Sequence, residues 1–317
     1  MKEFVIAGER INPGEEKQIN AQIFKLPTRT GIDIPIIVSR SQEDGPVVLF
    51  LAGIHGDEVN GVEIVRRLIV KKHHQPKKGT VICIPIVNIY GFIHASREVP
   101  DGKDINRAFP GSKSGSMASQ LAYFIRTEII PKVDLVIDFH TGGARINNFP
   151  QIRTAYSSAD SLALAKIFAT RFLIDSPFRE RSLRREAARL AIPFLLYEGG
   201  ESSRLQKQVI DEGVNGSLRV LHHLGMLTEK SVPKFETVLI EDSTWIRARS
   251  SGIYHAAVRV GANIKKGEVL GLITGPFGEF EVPIKGSRNG YAIAVNNNPV
   301  VNRGDALIHI GFEKKVT

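Results

Sequence analysis

Residues 47–61, VVLFLAGIHGDEVNG, decide the fold. A run of six apolar residues stops at Gly53, and the turn after it carries His55, Asp57 and Glu58. The next stretch, EVNGVEIVRRLIVKK, spaces its apolar residues at the helical period, so the segment reads as strand, tight turn, helix. The same grammar recurs along the chain. GIDIPIIVS (31–39), GTVICIPIVN, DLVIDFH and IPFLLYEGG read as strands, and ASQLAYFIRTEIIPKV, SADSLALAKIFATRF, SLRREAARLA and QKQVIDEGVNGSLRVLHHLGML as helices. Buried apolar strands alternating with helices imply an α/β layer fold with a largely parallel sheet.

The 317 residues, 42% of them hydrophobic, suffice for a substantial core and suggest two domains. One cysteine, Cys83, allows no intrachain disulfide, and its place in an apolar strand speaks against catalysis. The N-terminus is charged from Lys2 onward and does not read as a signal peptide. No apolar run is long enough for a membrane helix. A cytoplasmic protein without a membrane partner is expected. The net charge of +9 raises nucleic acid as a partner. However, the densest basic stretch, RERSLRREAARLA, mixes Glu180 and Glu186 among its arginines at helical spacing and reads as a solvated helix face. No nucleic-acid partner is expected. A basic field also suits an anionic small molecule.

After about Pro233 the helical period disappears, which places a boundary between residues 1–232 and an all-β segment, 233–317. That segment contains a repeat. GANIKKGEVLGLI (261–273) aligns with NNPVVNRGDALIHI (297–310), so that Gly267, Leu270 and Ile273 match Gly304, Leu307 and Ile310. Two similar β units suggest a small sandwich with a pseudo-twofold axis, resembling the biotinyl/lipoyl-type barrel-sandwich hybrid. The hairpin that carries a modified lysine in carriers of that type corresponds to ITGPFGEFEV, which has none. A lid or accessory role is therefore favoured over a carrier.

Three polar fragments stand at strand exits: GIHGDE, DFHTGG and YEGGE. Loops at the carboxyl ends of strands converge in open α/β sheets, which makes the fragments one candidate site. His55, Glu58 and His140, with a water, would complete a four-coordinate catalytic zinc centre, one Zn2+ per chain. Such a centre supplies a strong nucleophile at neutral pH, because the metal brings the pKa of water to roughly 7 while a nearby carboxylate moves the proton. Glu198 is the candidate base, with Glu201 as the alternative. Asp138, two residues before His140, shares its strand face and can orient that histidine or serve structure alone. Asp57 reads as a helix-start residue and Asp104 as a residue ordering its loop. His73, His74, His222 and His223 read as solvated. His94, Arg145 and Arg153 are further candidates for the site's edge.

AGIHGDEVNG, DINRAFPG, DFHTGG and YEGGE, in this order, resemble the succinylglutamate desuccinylase/aspartoacylase family of zinc carboxypeptidase-like hydrolases over most of residues 30–225. The resemblance implies a zinc carboxypeptidase-like α/β/α core with a mostly parallel mixed sheet. It also implies His55, Glu58 and His140 as zinc ligands and Glu198 as the catalytic glutamate. Asn106 and Arg107 would bind a substrate carboxylate, and Arg97 would contact the substrate or the developing oxyanion. The implied activity is zinc-dependent deacylation of a small N-acyl amino acid or amide. A metallocarboxypeptidase is the alternative, and a non-enzymatic binding module a weaker one. The β segment would either close over the pocket or mediate homo-oligomers.

Overall fold

A computed structural model of the chain describes residues 3–26 and 28–313. The opening stretch forms strand, turn and helix as its pattern implies. Two short strands, β1 (Val5–Ile6) and β2 (Glu9–Arg10), precede β3 (Glu16–Lys25), β4 (Gly31–Arg40) and β5 (Glu43–Ala52). Then come α1 (Val59–Val70), β6 (Lys78–Ile84), α2 (Ile89–His94) and α3 (Met117–Phe124). The chain continues through β7 (Leu135–Gly142), β8 (Ile146–Thr154), α4 (Ala159–Phe168), β9 (Phe172–Asp175), α5 (Leu183–Arg189), β10 (Phe194–Glu201) and α6 (Lys207–His223). Strands follow: β11 (Val238–Arg247), β12 (Gly252–Ala256), β13 (Asn263–Ile264), β14 (Val269–Thr274), β15 (Glu281–Lys285), β16 (Gly290–Asn296), β17 (Val300–Val301) and β18 (Ala306–Glu313).

The sheet is parallel in two blocks, β10-β7-β5-β6 and β8-β9-β11, and antiparallel elsewhere. The order is β13-β16-β18-β11-β9-β8-β10-β7-β5-β6-β4-β3. The four neighbours β10, β7, β5 and β6 are parallel, while β8 runs antiparallel to β10, and β4 to β6. The first reversal is at β8, a strand the pattern did not announce, which the three-residue turn after β7 sends back along the sheet. INNFPQIRT contains a proline, which cannot donate to a ladder. In the fold Pro150 sits where the neighbour changes: residues 146–148 pair with β16, and residues 151–154 with β9. The register of β8 against β10 shifts at the same place. Also unannounced were β3, β9 and α2. The single helix expected from Ala118 to Val133 stops at Phe124 and continues as a wide turn and a 3-10 turn through Lys132, which carries Pro131.

Side-chain alternation in the middle strands positions the site. In β7, Leu135, Ile137 and Phe139 pack on one face with Ile64, Leu68, Phe168 and Val209 of α1, α4 and α6. Val136 faces the other layer, with Ala118 and Leu121 of α3 and Leu183 of α5. Fully burying each such Leu, Ile or Phe contributes about 1.5–3 kcal/mol. Asp138 and His140 continue the Val136 face. In β10, Phe194 and Leu196 lie on that same face, and Glu198 continues it.

The C-terminal repeat shows in its pairings. β13 pairs with β16 and its repeat-mate β17 pairs with β12, while β14 pairs with β12 and its mate β18 with β16. β13, β16 and β18 share the main sheet, since β11 pairs with β9 and β16 with β8, whereas β12, β14, β15 and β17 form a separate four-stranded sheet. Among the described residues no helix is long and apolar enough to cross a membrane.

Candidate metal and substrate site

Gly53 ends β5 with φ +64°, a left-handed turn that glycine adopts without penalty, and this swings the chain toward His55. A Cβ on Gly56 would stand 1.9 Å from the carbonyl carbon of Gly91, so only glycine lets α2 close on the turn. Glu58 follows at the head of α1. His140 lies in β7, directly in register with Glu198 of the parallel neighbour β10, so both project from one face.

His55, Glu58 and His140 are buried and converge on one point. Nδ1 of His55 is 2.7 Å from Glu58 Oε1, Nδ1 of His140 is 2.9 Å from Glu58 Oε2, and the two Nδ1 atoms are 3.2 Å apart. Tetrahedral zinc with bonds of about 2.0–2.1 Å holds its nitrogen ligands about 3.3 Å apart, so the donor set fits. The far nitrogens fix the tautomers: His140 Nε2 meets Asp138 Oδ2 at 2.9 Å, and His55 Nε2 meets Asp104 Oδ1 at 3.2 Å. A carboxylate behind a histidine orients the ring and strengthens it as a ligand. Burial opposes charging either ring, but the surrounding carboxylates outweigh it and raise both histidines above their ordinary pKa. Burial alone would raise Glu58, but the two histidines reverse that and hold it far below the usual carboxylate range.

Asp138 therefore takes the orienting place on the shared face. Asp104 does more than order its loop. It accepts from the Asn106 amide at 2.7 Å, meets His55, and receives Arg97 through Nε at 3.2 Å and Nη2 at 2.8 Å. Arg97 also reaches Glu58 Oε1 at 3.3 Å, which brings its guanidinium to the centre. Glu198, half-buried, accepts from Asn148 Nδ2 at 2.9 Å. Glu201 is buried elsewhere and accepts from Asn297 at 2.7 Å. Asn106 uses its side-chain oxygen to receive the first amide of α5, Leu183, at 2.9 Å, while Arg107 stands exposed at the rim.

One cavity of about 230 Å³ gathers His55, Glu58, His140, Arg97, Asn106, Arg107 and Glu198. Drug-sized ligands fill roughly 300–1,000 Å³, so the space suits a small molecule. Arg153 lines it, whereas Arg145 and His94 do not; His94 is exposed and packs on Tyr90. One expectation fails: His74 is not solvated but 2% exposed, beside Glu16. Asp57 stands at the start of α1, one residue before its cap position, where no side chain makes a cap bond.

Among the lining residues the pattern missed are Asn148, Arg179, Arg184 and Trp245. Arg184 belongs to the stretch read as a solvated face, yet α5 turns it inward together with Leu183 and Ala187. The apolar stripe Leu183–Ala187 was the available signal, since Arg184 flanks it. Trp245 comes from β11, beyond the Pro233 boundary, and stacks on His309 at 4.6 Å with the rings 4° from parallel.

Comparison with known proteins agrees with this geometry. Residues 44–224, more than half of the chain, match the model of the succinylglutamate desuccinylase/aspartoacylase catalytic domain. The N-alpha-acetyl-L-2,4-diaminobutyric acid deacetylase of Halomonas elongata is 24% identical over 291 residues, covering 86% of this chain and 84% of its own. A succinylglutamate desuccinylase/aspartoacylase structure from Rhodobacter sphaeroides is 26% identical, with a TM-score of 0.83 over 94% of this chain and 96% of that one. The product-bound ectoine utilization protein EutE (DoeB) of Ruegeria pomeroyi shares the fold at a TM-score of 0.85 and 21% identity, over 98% of both chains.

Proposed function

Because the chain belongs to the succinylglutamate desuccinylase/aspartoacylase family, we propose that it is a zinc-dependent deacylase cleaving the amide bond of a small N-acyl amino acid or related amide. The relatives hydrolyse carbon–nitrogen bonds other than peptide bonds, and this chain is an enzyme of that kind. The observation that carries the finer reading is the His55–Glu58–His140 set. Each of its histidines has a carboxylate behind it, and Glu198 stands beside it in one cavity.

Bound by these three side chains, zinc supplies a Lewis acid that makes water nucleophilic near neutral pH. The chain's own residues do the rest. Glu198 takes a proton from the attacking water as its oxygen bonds to the acyl carbon. The same carboxyl group returns that proton to the nitrogen as the C–N bond breaks, leaving a carboxylic acid and an amine. Asn148 holds one oxygen of Glu198 and leaves the other for this work. Arg97, fixed by Asp104 and Glu58, offers positive charge where the carbonyl oxygen turns anionic. Arg107, at the rim beside Asn106, grips a substrate carboxylate.

The test pairs metal with substrate. Chelation should abolish hydrolysis of N-acyl amino acids, and zinc should restore it. Turnover that survives complete chelation, or a tripeptide cleaved faster than any N-acyl amino acid, would overturn the reading.

A further inference from the structure

The turn that joins β7 to β8 is made of residues its backbone does not suit. β7 ends at Gly142 and β8 begins at Ile146. Between them Ala144 has φ +52° and Arg145 φ +63°, and the Ile146 amide donates to the Gly143 carbonyl at 3.1 Å. Two consecutive left-handed residues closed by that bond match a type I′ turn, which ordinarily takes Asn-Gly. A Cβ disfavours the left-handed region, so each of these residues is strained. Such strain persists only where the surroundings over-determine the backbone.

The turn connects two parts of the site. His140 lies two residues before Gly142 on β7, and Asn148, which donates to Glu198 Oε2 at 2.9 Å, lies two residues after Ile146 on β8. Gly142, Gly143 and Ile146 themselves line the cavity. The path of the turn therefore sets where the strand that holds the base stands against the strand that carries a metal ligand.

The C-terminal β segment holds this path. Asn297 follows β16, whose last residues pair with Ile146, Asn147 and Asn148. Its backbone amide donates to the Arg145 carbonyl at 2.9 Å. Its side-chain amide donates to Glu201 Oε2 at 2.7 Å. Glu201 is buried, closes β10 beside Gly142, and is joined there by the Ser202 amide, which donates to the Gly142 carbonyl at 2.9 Å. Arg204 approaches the other Glu201 oxygen from the surface at 3.6 Å. A hydrogen bond to a buried carboxylate is strong, and losing it leaves a costly unmet acceptor. The base's own strand thus seats Asn297, and Asn297 pins the turn.

We propose that Asn297 is a positioning residue for the reaction, holding the strained Ala144–Arg145 turn and with it the spacing between His140 and the Asn148–Glu198 pair. The inference rests on the deacylase reading and gives the C-terminal segment a part in it, although Asn297 stands outside the cavity wall. The competing role is that Asn297 only fastens that segment to the core. The two roles part when the strain is relieved, because a turn that suits its backbone needs no clamp.

The experiment compares wild type, Asn297→Ala, the turn variant Ala144→Asn/Arg145→Gly, and the triple variant. Zinc content, kcat and KM are measured with the N-acyl amino acid that wild type cleaves fastest, together with hydrogen exchange of the peptide spanning residues 143–148. Asn297→Ala should keep its zinc and lose about 10- to 100-fold in kcat, up to the loss that a misplacement of about 1 Å brings, with a smaller change in KM. Its turn should exchange faster. The turn variant should work as wild type does, and the triple variant should recover most of the lost kcat and the slow exchange. A wild-type kcat in Asn297→Ala, or a triple variant as slow as Asn297→Ala, would overturn the proposal. Should Asn297→Ala fail to fold, a folded and active triple variant supports the clamp and an unfolded one refutes it. Should wild type cleave no amide, the deacylase reading falls, while exchange still decides the clamp: an Asn297→Ala turn that exchanges as slowly as wild type would refute it.

Discussion

At the His55–Glu58–His140 end of the cavity, each imidazole nitrogen facing away from the shared point has a carboxylate behind it. At the Arg153–Arg184 end, the Arg184 guanidinium meets two backbone carbonyls and a hydroxyl, and among the described residues Arg153 Nε has no partner. The first end is assembled by the chain alone, because its charges are mutually satisfied and its rings are fixed before anything binds. At the second, neither Arg153 nor Arg184 has a salt bridge among the described residues, although Glu198 and Asp175 act on Arg184 at longer range. One cavity thus combines a cluster of histidines backed by carboxylates with a wall rich in arginine, and the two should respond differently to substitution.

The strongest contrast comes from His140→Ala. On the proposed reading it removes a ligand rather than a supporting contact, so zinc should be lost and turnover should fall by at least about a thousandfold. Turnover with normal metal content would show that the rigid end is not a metal centre. Asp138→Asn leaves the ligand but removes the carboxylate behind it, and zinc affinity should weaken by about 10- to 100-fold in a competition titration with a chelator. An unchanged affinity would reduce Asp138 to a structural residue.

The wall that backs Trp245 has its own signature in pH. Burial first, and then Arg153, push His309 down to about 3. The unfolded ring titrates near 6.5 and so takes up a proton before the folded one does. The stability gained by keeping His309 neutral is therefore whole above pH 6.5 and declines as pH falls toward 3. Denaturant unfolding at pH 7 and pH 5 should show wild type losing about 2 kcal/mol more than His309→Gln over that interval. Equal losses would mean the ring is not held neutral. Trp245→Ala should raise KM by about 3- to 10-fold, as expected for one lost aromatic contact, and leave zinc content alone. Zinc lost with Trp245 would show the two ends to be one unit.

The rigid end was readable in the sequence because its residues sit at strand exits, where pattern and chemistry coincide. His55 and Glu58 follow the apolar run of β5, and His140 and Glu198 close two others. Asp138 was readable by alternation alone. Asp104 was only half readable, as its contacts with His55 and Arg97 join residues 49 and 7 positions away through loops without a period. The arginine wall was only partly readable: Arg153 was a candidate by its place after HTGG, but its strand was not. Pro150 masked β8, the strand that carries Asn148, Gln151 and Arg153, because a proline ordinarily argues against a central strand. Arg184 looked like one charge among many, and Trp245 enters through the pairing of β11 with β9. Long-range sheet pairing brings these residues together, and no local window contains it.

The central claim is that three side chains hold the metal while a fourth, Glu198, moves the proton. Glu198→Gln separates those jobs. Metal analysis and turnover of the same preparation should show one zinc per chain and a rate about 10²- to 10⁴-fold lower. Zinc lost from that variant, or a rate left intact, would contradict the account.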